Sequence, residues 1–309
     1  MRRSCPLSVS YTHLDVYKRQ GRLQAATDLS LQSARDIVND GTVVAGGALG
    51  LNAAARVLNN KAMSSAGNAS IVARQLENRG ALTAGLQADG AISPLGALSA
   101  QVDQLLNPGT LVAGGDATVT ANVLGLSGGK FVAGGALTLD ASGAITNRGG
   151  AVYGGSVALR AASLDNAGGK LTSGAALGGQ VTGAIDNTGG TLAGAGAVDL
   201  RGRSVVNAAG GVVSGQSVAL RGADRIDNQG GSVQANDALR VETAGAIDNR
   251  GGKLLGGSAD LQSASLDNRG GIAQADGMLA VTNSGVLQNQ GCLLYTSAGR
   301  CMAKEGRRE

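Results

Sequence analysis

Acidic side chains recur along the second half of the chain in one sequence context. Five aspartates each stand directly before an asparagine of a repeated pattern: Asp165, Asp186, Asp227, Asp248 and Asp267. Paired carboxylates can hydrolyse glycosidic bonds, and grouped carboxylates can hold Ca²⁺. One hypothesis is therefore a β-helical enzyme, a lyase or hydrolase, that acts on polysaccharides.

The remaining composition argues against catalysis. Residues 21–291 contain no His, Cys or Trp, and Phe131 and Tyr153 are their only Phe and Tyr. Sugar-binding clefts usually offer aromatic side chains. An enzyme would also need a non-periodic group of Asp, Lys and Arg on the face of one turn, whereas these aspartates occupy one periodic position. We therefore predict no catalytic residue, no cofactor and no metal site.

The aspartates belong to a repeat of about twenty residues. Its core is Ile or Leu, usually Asp, and then Asn-x-Gly-Gly. The full copies have their asparagines at Asn147, Asn166, Asn187, Asn228, Asn249 and Asn268, and the copy at Asn207 is one residue longer. Less regular copies have theirs at Asn39, Asn59, Asn78 and Asn107, and a partial copy has its asparagine at Asn289. In one further copy Ser127 takes the asparagine position. Such a period predicts one small unit stacked many times, each burying its apolar face against its neighbours.

The unit at residues 147–166 indicates what each copy forms. Short apolar segments lie around Val152, Val157–Leu159 and Leu164, separated by Gly-Gly or small residues. Val157 and Leu159 are two apart and share one face of a strand. The Gly pairs oppose a helix, since each Gly costs about 1 kcal/mol there relative to Ala. The pattern predicts an all-β fold, a parallel β-helix of about twenty residues per coil. A disordered linker is the alternative, but a linker would not keep Val and Leu in register with the asparagines.

The asparagines are predicted to form a structural ladder at the corner of successive coils. Asn tolerates the left-handed backbone of a tight corner, stacked amides can bond one another, and the following Gly residues supply positive φ. The ladder comprises Asn147, Asn166, Asn187, Asn207, Asn228, Asn249, Asn268 and Asn289. The preceding aspartates are expected to face solvent, screened by Arg250 and Arg269.

One region departs from the period, because the interval from Asn78 to Asn107 is 29 residues. Ser93-Pro94 is a plausible start of a helix, and Leu95, Leu98, Val102 and Leu105 follow at helical spacing. The sequence predicts an excursion from the coil near residues 85–106. We interpret it as a short amphipathic helix or a loop, the alternative being an irregular coil.

The two ends are interpreted as foreign to the repeat protein. Residues 15–20, DVYKRQ, can be encoded by a DNA sequence whose reverse complement encodes residues 292–297, CLLYTS. One sequence read on both strands resembles a transposon-end adaptor. The predicted organisation is a non-native flank at 1–20, a β-helical repeat domain at 21–291 and a non-native flank at 292–309.

Charge in the repeat domain is nearly balanced. The formal net charge of the whole chain is +4, but the flanks carry +3 and +2, which leaves −1 for residues 21–291. The basic pI therefore gives no reason to expect a nucleic-acid partner. No long uninterrupted apolar segment is present, so membrane insertion is not predicted either.

The repeats resemble those of the filamentous haemagglutinin family, the large exoproteins of two-partner secretion systems. The family unit is similar to I-D-N-x-G-G-x-L-x-A-G-G-x-L-x-L, which residues 137–160, LTLDASGAITNRGGAVYGGSVALR, match closely. The resemblance covers most of residues 21–291 and is most specific from Phe131 to Gln290. It implies a right-handed parallel β-helix that is secreted to the surface of a Gram-negative bacterium.

The resemblance also implies partners. An outer-membrane two-partner secretion transporter would export the protein by recognising a domain outside this segment. A distal adhesive or toxin domain would contact receptors on a host cell or a neighbouring bacterium. The expected function is a structural shaft that presents such a domain away from the cell. The same shaft is expected for an adhesin and for a contact-dependent inhibition protein.

Overall fold

The computed structural model describes residues 21–290 and four short strands in the flanks, Ser8–Ser10, Val16–Lys18, Leu293–Thr296 and Cys301–Glu305. The chain divides into two units, Met1–Ile145 with Ala151–Gly155, and Thr146–Gly150 with Ser156–Glu309. Apart from those four strands, the flanks 1–20 and 292–309 lie outside the described residues, and their foreign origin stays a prediction.

Both units are built from parallel strands stacked as a β-solenoid, about 13 turns of roughly 20 residues in all. A typical turn has three strands, as in Lys170–Ser173, Leu177–Val181 and Ala184–Asp186. The first belongs to what we call the narrow sheet, and the other two belong to the wide sheet. The predicted fold class is confirmed. Within residues 21–290 no helix is long and apolar enough to cross a membrane.

The first unit contains the following strands. Its narrow-sheet strands are Arg22–Ala25, Thr42–Ala45, Ala62–Ser65, Ala81–Ala84, Thr110–Ala113, Lys130–Ala133 and Ala151–Gly154. Its wide-sheet strands are Ser8–Ser10, Val16–Lys18, Leu29–Ser33, Asp36–Asn39, Leu49–Ala53, Arg56–Asn59, Ala69–Asn78, Leu98–Leu106, Ala117–Ala121, Val123–Gly125 and Ala136–Ala141. The division between the units falls within one further strand, Ala144–Thr146.

The second unit repeats this arrangement. Its narrow-sheet strands are Lys170–Ser173, Thr191–Gly194, Val212–Gly215, Ser232–Ala235, Lys253–Gly256, Ile272–Ala275 and Leu293–Thr296. Its wide-sheet strands are Ser156–Ala161, Ser163–Asp165, Leu177–Val181, Ala184–Asp186, Val198–Val206, Val218–Asp227, Ala238–Thr243, Ala246–Asp248, Ser258–Ser263, Ser265–Asp267, Leu279–Asn283, Leu287–Gln288 and Cys301–Glu305. Val198–Val206 and Val218–Asp227 each join two strand positions of a turn into one strand.

The register of the strands builds the core. Val157 pairs with Leu177, and Leu177 pairs in turn with Val198. Val157 and Leu159 are 3% and 2% exposed, while Ala158 and Arg160 are exposed on the outer face, as the alternation predicted. Inward side chains therefore stack on the same position of the next turn, so each turn buries its apolar residues only against its neighbours.

The excursion is a loop, and the helix interpretation is wrong. Leu98–Leu106 is a strand paired with Ala69–Asn78 on one side and with Ala117–Ala121 and Val123–Gly125 on the other. The extra residues lie before it, between Ala84 and Leu98, where Leu86 and Ile92 form an isolated antiparallel bridge. Leu98, Val102 and Leu105 are buried in the core, whereas Leu95 is 84% exposed. Pairing with two neighbouring turns thus outweighs the helical spacing of the four residues.

Candidate functional site

The asparagine column lies inside the corner at the end of the second wide-sheet strand position of a turn. Its members from Asn39 to Asn268 are at most 1% exposed. Asn289, the last, is partly exposed. A buried amide that lacks hydrogen-bond partners is costly, so the surroundings of these side chains determine whether the corner is stable.

In the second unit each asparagine amide bonds to the next. Asn147 Nδ2 donates to Asn166 Oδ1 at 2.7 Å, and Asn166 Nδ2 donates to Asn187 Oδ1 at 2.7 Å. The series continues through Asn207, Asn228, Asn249, Asn268 and Asn289 at 2.6–2.9 Å. All eight predicted ladder residues are thus brought into one chain of side-chain hydrogen bonds.

The first unit contains a shorter ladder. Asn39 donates to Asn59, Asn59 to Asn78, and Asn78 to Asn107, at 2.8, 2.7 and 2.7 Å. The step from Asn78 to Asn107 spans the 29-residue interval, so the loop leaves the asparagines in register. The drifted copies of the repeat therefore keep the same side-chain arrangement as the regular ones.

Backbone groups provide the remaining hydrogen-bond partners of each asparagine. Asn166 Nδ2 also donates to the carbonyl of Thr191 at 3.0 Å, at the start of a narrow-sheet strand. The backbone N–H of Asn166 donates to the carbonyl of Asp186 at 2.7 Å. One asparagine therefore ties together a corner, its successor and the following strand, which explains why a short side chain with both a donor and an acceptor occupies this position.

The two ladders begin and end differently. In the turn after Asn107 the repeat pattern predicts Ser127 in the asparagine position, and Asn107 Nδ2 keeps the bond to the narrow-sheet strand that the other ladder asparagines make, donating to the carbonyl of Lys130 at 3.0 Å. Asn147 opens the ladder of the second unit. Its Oδ1 is buried and has no hydrogen-bond partner among the described residues. An unpaired buried acceptor is unfavourable, so the first amide of this ladder is less well satisfied than those that follow.

The two glycines after each asparagine have different roles. Gly168 has a φ of +63°, and a Cβ there would meet nothing within 4 Å. A Cβ on Gly169 would overlap the carbonyl oxygen of Asn147 and would lie 2.8 Å from Asn166 Oδ1. The first glycine therefore permits the left-handed turn, and the second permits close approach to the ladder.

The expectation that the asparagines adopt left-handed backbone is wrong. Among the described residues the only non-glycine with positive φ is Ala209, at 49°. Ala209 stands in the longer repeat after Asn207, where it and Gly210 both turn left-handed. The glycine two residues beyond the asparagine takes the strained conformation in the regular repeats, which leaves the asparagine free to point inward.

The aspartates cap the same corner. Asp186 Oδ1 accepts a hydrogen bond from the backbone N–H of Thr188 at 2.9 Å, and Asp227 Oδ1 accepts one from Gln229 at 3.1 Å. Such bonds from a side chain to the backbone two residues later stabilise turns. The aspartates are partly exposed rather than fully solvated. This role was not predicted from the sequence, although an Asp two residues before a turn residue is the signal that indicates it.

Arginines neutralise part of this acidic column, as expected. Arg250 Nη2 lies 2.6 Å from Asp248 Oδ2, and Arg269 Nη2 lies 2.7 Å from Asp267 Oδ2. Arg250 also approaches Asp267 of the next turn at 3.7 Å. The hydrogen bond from Arg269 lowers the pKa of the Asp267 carboxyl, against a smaller opposing effect of burial.

A second charged group lies on the outer face of the wide sheet. Arg221 bonds to Asp199 and lies 3.7 Å from Glu242, which Arg240 contacts at 3.2 Å. Asp199, Arg221 and the pair Arg240 and Glu242 stand on three successive turns, and their charges neutralise one another. This non-periodic group is not evident from the sequence, because Asp199, Arg221 and Glu242 are about twenty residues apart and become neighbours only through the strand register. Within residues 21–290 no three metal-ligating side chains come together.

The geometry defines a class of protein, a β-solenoid built from stacked repeats with an internal asparagine ladder. Comparison with known protein families shows to which family the chain belongs. The haemagglutinin repeat matches residues 14–92, 96–149, 154–251 and 225–300. The chain therefore belongs to the filamentous haemagglutinin repeat family, a structural, adhesin-type family. No curated protein and no solved structure matches it.

Proposed function

We propose that this chain is a segment of the shaft of a secreted, filamentous surface protein. Its role is mechanical: it holds a distal adhesive or toxin domain away from the cell and contains no active site. The hydrogen-bonded asparagine column is the observation that best supports the proposal, because the buried polar groups of successive turns are used to join one turn to the next. Family membership supports the same function.

The proposal includes an export route. Two-partner secretion through an outer-membrane transporter fits the family, with the transporter recognising a domain other than these repeats. The surface of a Gram-negative bacterium is the corresponding location. Solenoid turns that are stabilised by contacts with their neighbours can form successively as the chain emerges, which suits a protein that folds outside the cell.

Immunogold electron microscopy tests the location and the shaft role together. Antibodies raised against the purified chain should label structures that extend from the surface of intact cells producing the parent protein. Protease added outside the cells should remove the label. Label confined to the cytoplasm, or label that appears only after cell lysis, would contradict the proposal.

An activity assay tests the enzyme alternative. The purified chain is incubated with acidic and neutral polysaccharides, in parallel with a variant carrying Asp227→Asn, Asp248→Asn and Asp267→Asn. We expect no cleavage by either protein. Cleavage by the wild-type chain that disappears in the variant would replace the shaft proposal with a polysaccharide-active enzyme.

A further inference from the structure

The outward-facing side chains of the narrow sheet in the first unit form two columns. Each strand buries its second and fourth residues and turns its first and third residues outward, as Lys130–Ala133 does. The third residues form a column here called the ridge, which consists of Val44, Ser64, Thr83, Val112, Val132 and Tyr153. The first residues form the alanine column, which consists of Thr42, Ala62, Ala81, Thr110, Lys130 and Ala151.

The ridge is apolar and continuous over its last three members. Val112 pairs with Val132, and Val132 pairs with Tyr153, so these side chains lie one strand spacing apart, about 4.8 Å. Both valines are partly exposed, and Tyr153 is 41% exposed. A contiguous apolar strip on the surface marks an interaction site.

Charge on this face limits the partners that it can attract. Lys130 is the only charged residue in the two columns. A single positive charge provides little attraction for a polyanion, and the columns contain no carboxylate that could pair with a basic partner. The face therefore suits a partner surface that is itself nearly uncharged and rich in β-branched residues. The same face of a second copy provides such a surface.

We propose that this face is an interface between two copies of the chain, with the ridge of each copy packed against the alanine column of the other. A twofold axis that lies between the copies and runs along the stacking direction of the strands produces this arrangement. The rotation exchanges the two columns, so the larger side chains of one copy face the smaller side chains of the other. Side chains of packed sheets interdigitate in the same way at a sheet separation of about 10 Å.

This arrangement places particular residues opposite one another. Val112 faces Thr110 of the second copy, and Tyr153 faces Ala151 of the second copy. The two columns are about 6.7 Å apart, so the two copies of Lys130 stand in opposite columns with roughly 12 Å between their backbone positions. That distance exceeds the Debye length of about 8 Å in physiological salt, and the repulsion between the two lysines is therefore largely screened.

The size of the face indicates a weak dimer. Six strands of four residues form it, and they cover about 400 Å² per copy at the usual strand spacing and rise. The total of about 800 Å² lies below the roughly 1,200 Å² of stable specific complexes. We therefore expect a reversible dimer with a Kd on the order of 100 μM. Both copies run in the same direction, which suits neighbouring shafts on one cell surface.

Sedimentation velocity of the purified full chain, from about 1 μM to about 1 mM, tests for the dimer. Val112→Lys with Val132→Lys adds two positive charges to the ridge, beside Lys130. Ser214→Lys with Gln234→Lys adds the same charge at the equivalent strand positions of the second unit and is the matched control. Thermal unfolding checks that each variant is folded, which is expected because all the substituted side chains point outward.

The wild type and the control should dimerise alike. The Kd of the ridge variant should rise at least about tenfold, because each added ammonium group would lose water and meet like charge in the interface. This inference goes beyond the proposed shaft function, since it concerns contacts between two shafts.

Disulfide cross-linking tests the arrangement of the two copies. Cys5→Ser, Cys292→Ser and Cys301→Ser remove the existing thiols, and either Thr110→Cys or Val112→Cys is then added. Under mild oxidation, a mixture of the two proteins should form the mixed dimer several times faster than either protein alone cross-links, because a disulfide requires closely placed Cβ atoms. The ridge of one copy meets the alanine column of the other, whereas identical positions lie apart.

Three results would overturn the inference. The first is a chain that stays monomeric at every concentration, and the second is an equal rise in Kd for the control and the ridge variant. The third is cross-linking of Val112→Cys alone as fast as that of the mixture, which would mean that ridge packs against ridge. None of them would affect the shaft proposal, because surface labelling of cells does not depend on contacts between shafts.

Discussion

At the scale of single residues, the asparagine amide determines how the corners are held. Its Nδ2 supplies two donors and its Oδ1 supplies an acceptor, so identical side chains stacked at the strand spacing can satisfy one another. Asn228 accepts from Asn207 and donates to Asn249, to the carbonyl of Lys253 at 3.1 Å and more weakly to that of Gly231. No apolar residue of similar size could replace these bonds.

Asn228→Ala should therefore destabilise the protein by about 2–4 kcal/mol, because it leaves buried groups on Asn207 and Asn249 without their partners. Urea unfolding, monitored by circular dichroism, measures the change. Asn236→Ala is the matched control. Asn236 is exposed and bonds only to Gln216 through its side chain, at 3.3 Å. Its replacement should change stability by less than about 0.5 kcal/mol. Equal effects would show that the ladder does not stabilise the fold.

The paired glycines should respond differently to the same substitution. Gly168→Ala places a Cβ on left-handed backbone in open space and should cost about 1–2 kcal/mol. Gly169→Ala pushes a Cβ into the ladder and should cost about 3 kcal/mol or more. Differential scanning calorimetry of both variants compares them under one condition. A larger loss from Gly168→Ala would contradict the separate roles.

Stability should fall in acid through the corner carboxylate of Asp267. The pKa of Asp267 is lowered in the folded protein, chiefly by its hydrogen bond with Arg269. Its stabilising effect is therefore complete above the unfolded-state pKa of about 3.9 and is lost as the pH falls through the lower folded-state value. The melting temperatures of wild type and Asp267→Asn, measured from pH 7 to pH 2, should differ most near neutrality and converge in acid.

Arg269→Gln provides the internal control for this pH dependence. Because Arg269 is the main cause of the lowered pKa of Asp267, its removal should reduce the acid sensitivity in the same pH range. A difference between wild type and Asp267→Asn that stays constant down to pH 2 would mean that the salt bridge contributes nothing to folding, as is common for exposed pairs.

At the scale of strands, the segment from Leu95 to Leu106 shows how pairing decides between two patterns. Leu95, Leu98, Val102 and Leu105 fit a helix, but Leu98, Ala100 and Val102 also alternate as a strand does. The strand Ala69–Asn78 presents unpaired backbone groups to this segment, and Leu98–Leu106 satisfies them over eight residue pairs. A helix would leave that edge open within the stack.

Two leucines of this segment distinguish the strand from a helix. Leu105→Ala should cost about 2–5 kcal/mol, because Leu105 is fully buried between neighbouring turns. Leu95→Ala should change stability by less than about 0.5 kcal/mol, because Leu95 is 84% exposed on the loop. Chemical denaturation measures both. Similar large losses would indicate that the two leucines share one packed face, as the helix interpretation requires.

At the scale of the whole molecule, the repeat makes stability a property of neighbouring turns. Each turn of the second unit contacts the turns before and after it through strands, core side chains and the asparagine ladder. The free energy of unfolding of such an array is approximately the sum of the stabilities of the single repeats and of the interfaces between neighbouring repeats. Substitutions in distant turns should then act independently, and those in adjacent turns should not.

Double substitutions test this coupling. The effects of Asn187→Ala and Asn249→Ala should add, because the two side chains are three ladder steps apart and share no bond. Asn228→Ala and Asn249→Ala remove two partners of one 2.7 Å hydrogen bond. Their combined effect should be smaller than the sum by roughly 1 kcal/mol. Equilibrium unfolding of the single and double variants gives both values, and full additivity of the adjacent pair would exclude coupling through the ladder.

The sequence by itself determined the features that depend on local chemistry and period. The twenty-residue spacing of Asn147 to Asn268 predicts the solenoid, because only stacking buries such short apolar segments. The two-residue alternation of Val157 and Leu159 gives the inward face, and the glycines two residues past the asparagines give the turns. Each of these features can be predicted from the sequence of one repeat together with the fact that the repeat recurs.

Only the tertiary structure decided the features that depend on neighbouring turns. It made Leu98–Leu106 a strand, because backbone groups of the flanking strands required partners there. It showed that the second glycine is needed for close packing against the preceding corner, because a Cβ at this position would overlap backbone atoms of that corner. It also brought Arg160, Gln180 and Arg201 into one row around Gly178. These residues are about twenty positions apart, and strand register, which local sequence does not encode, determines which of them become neighbours.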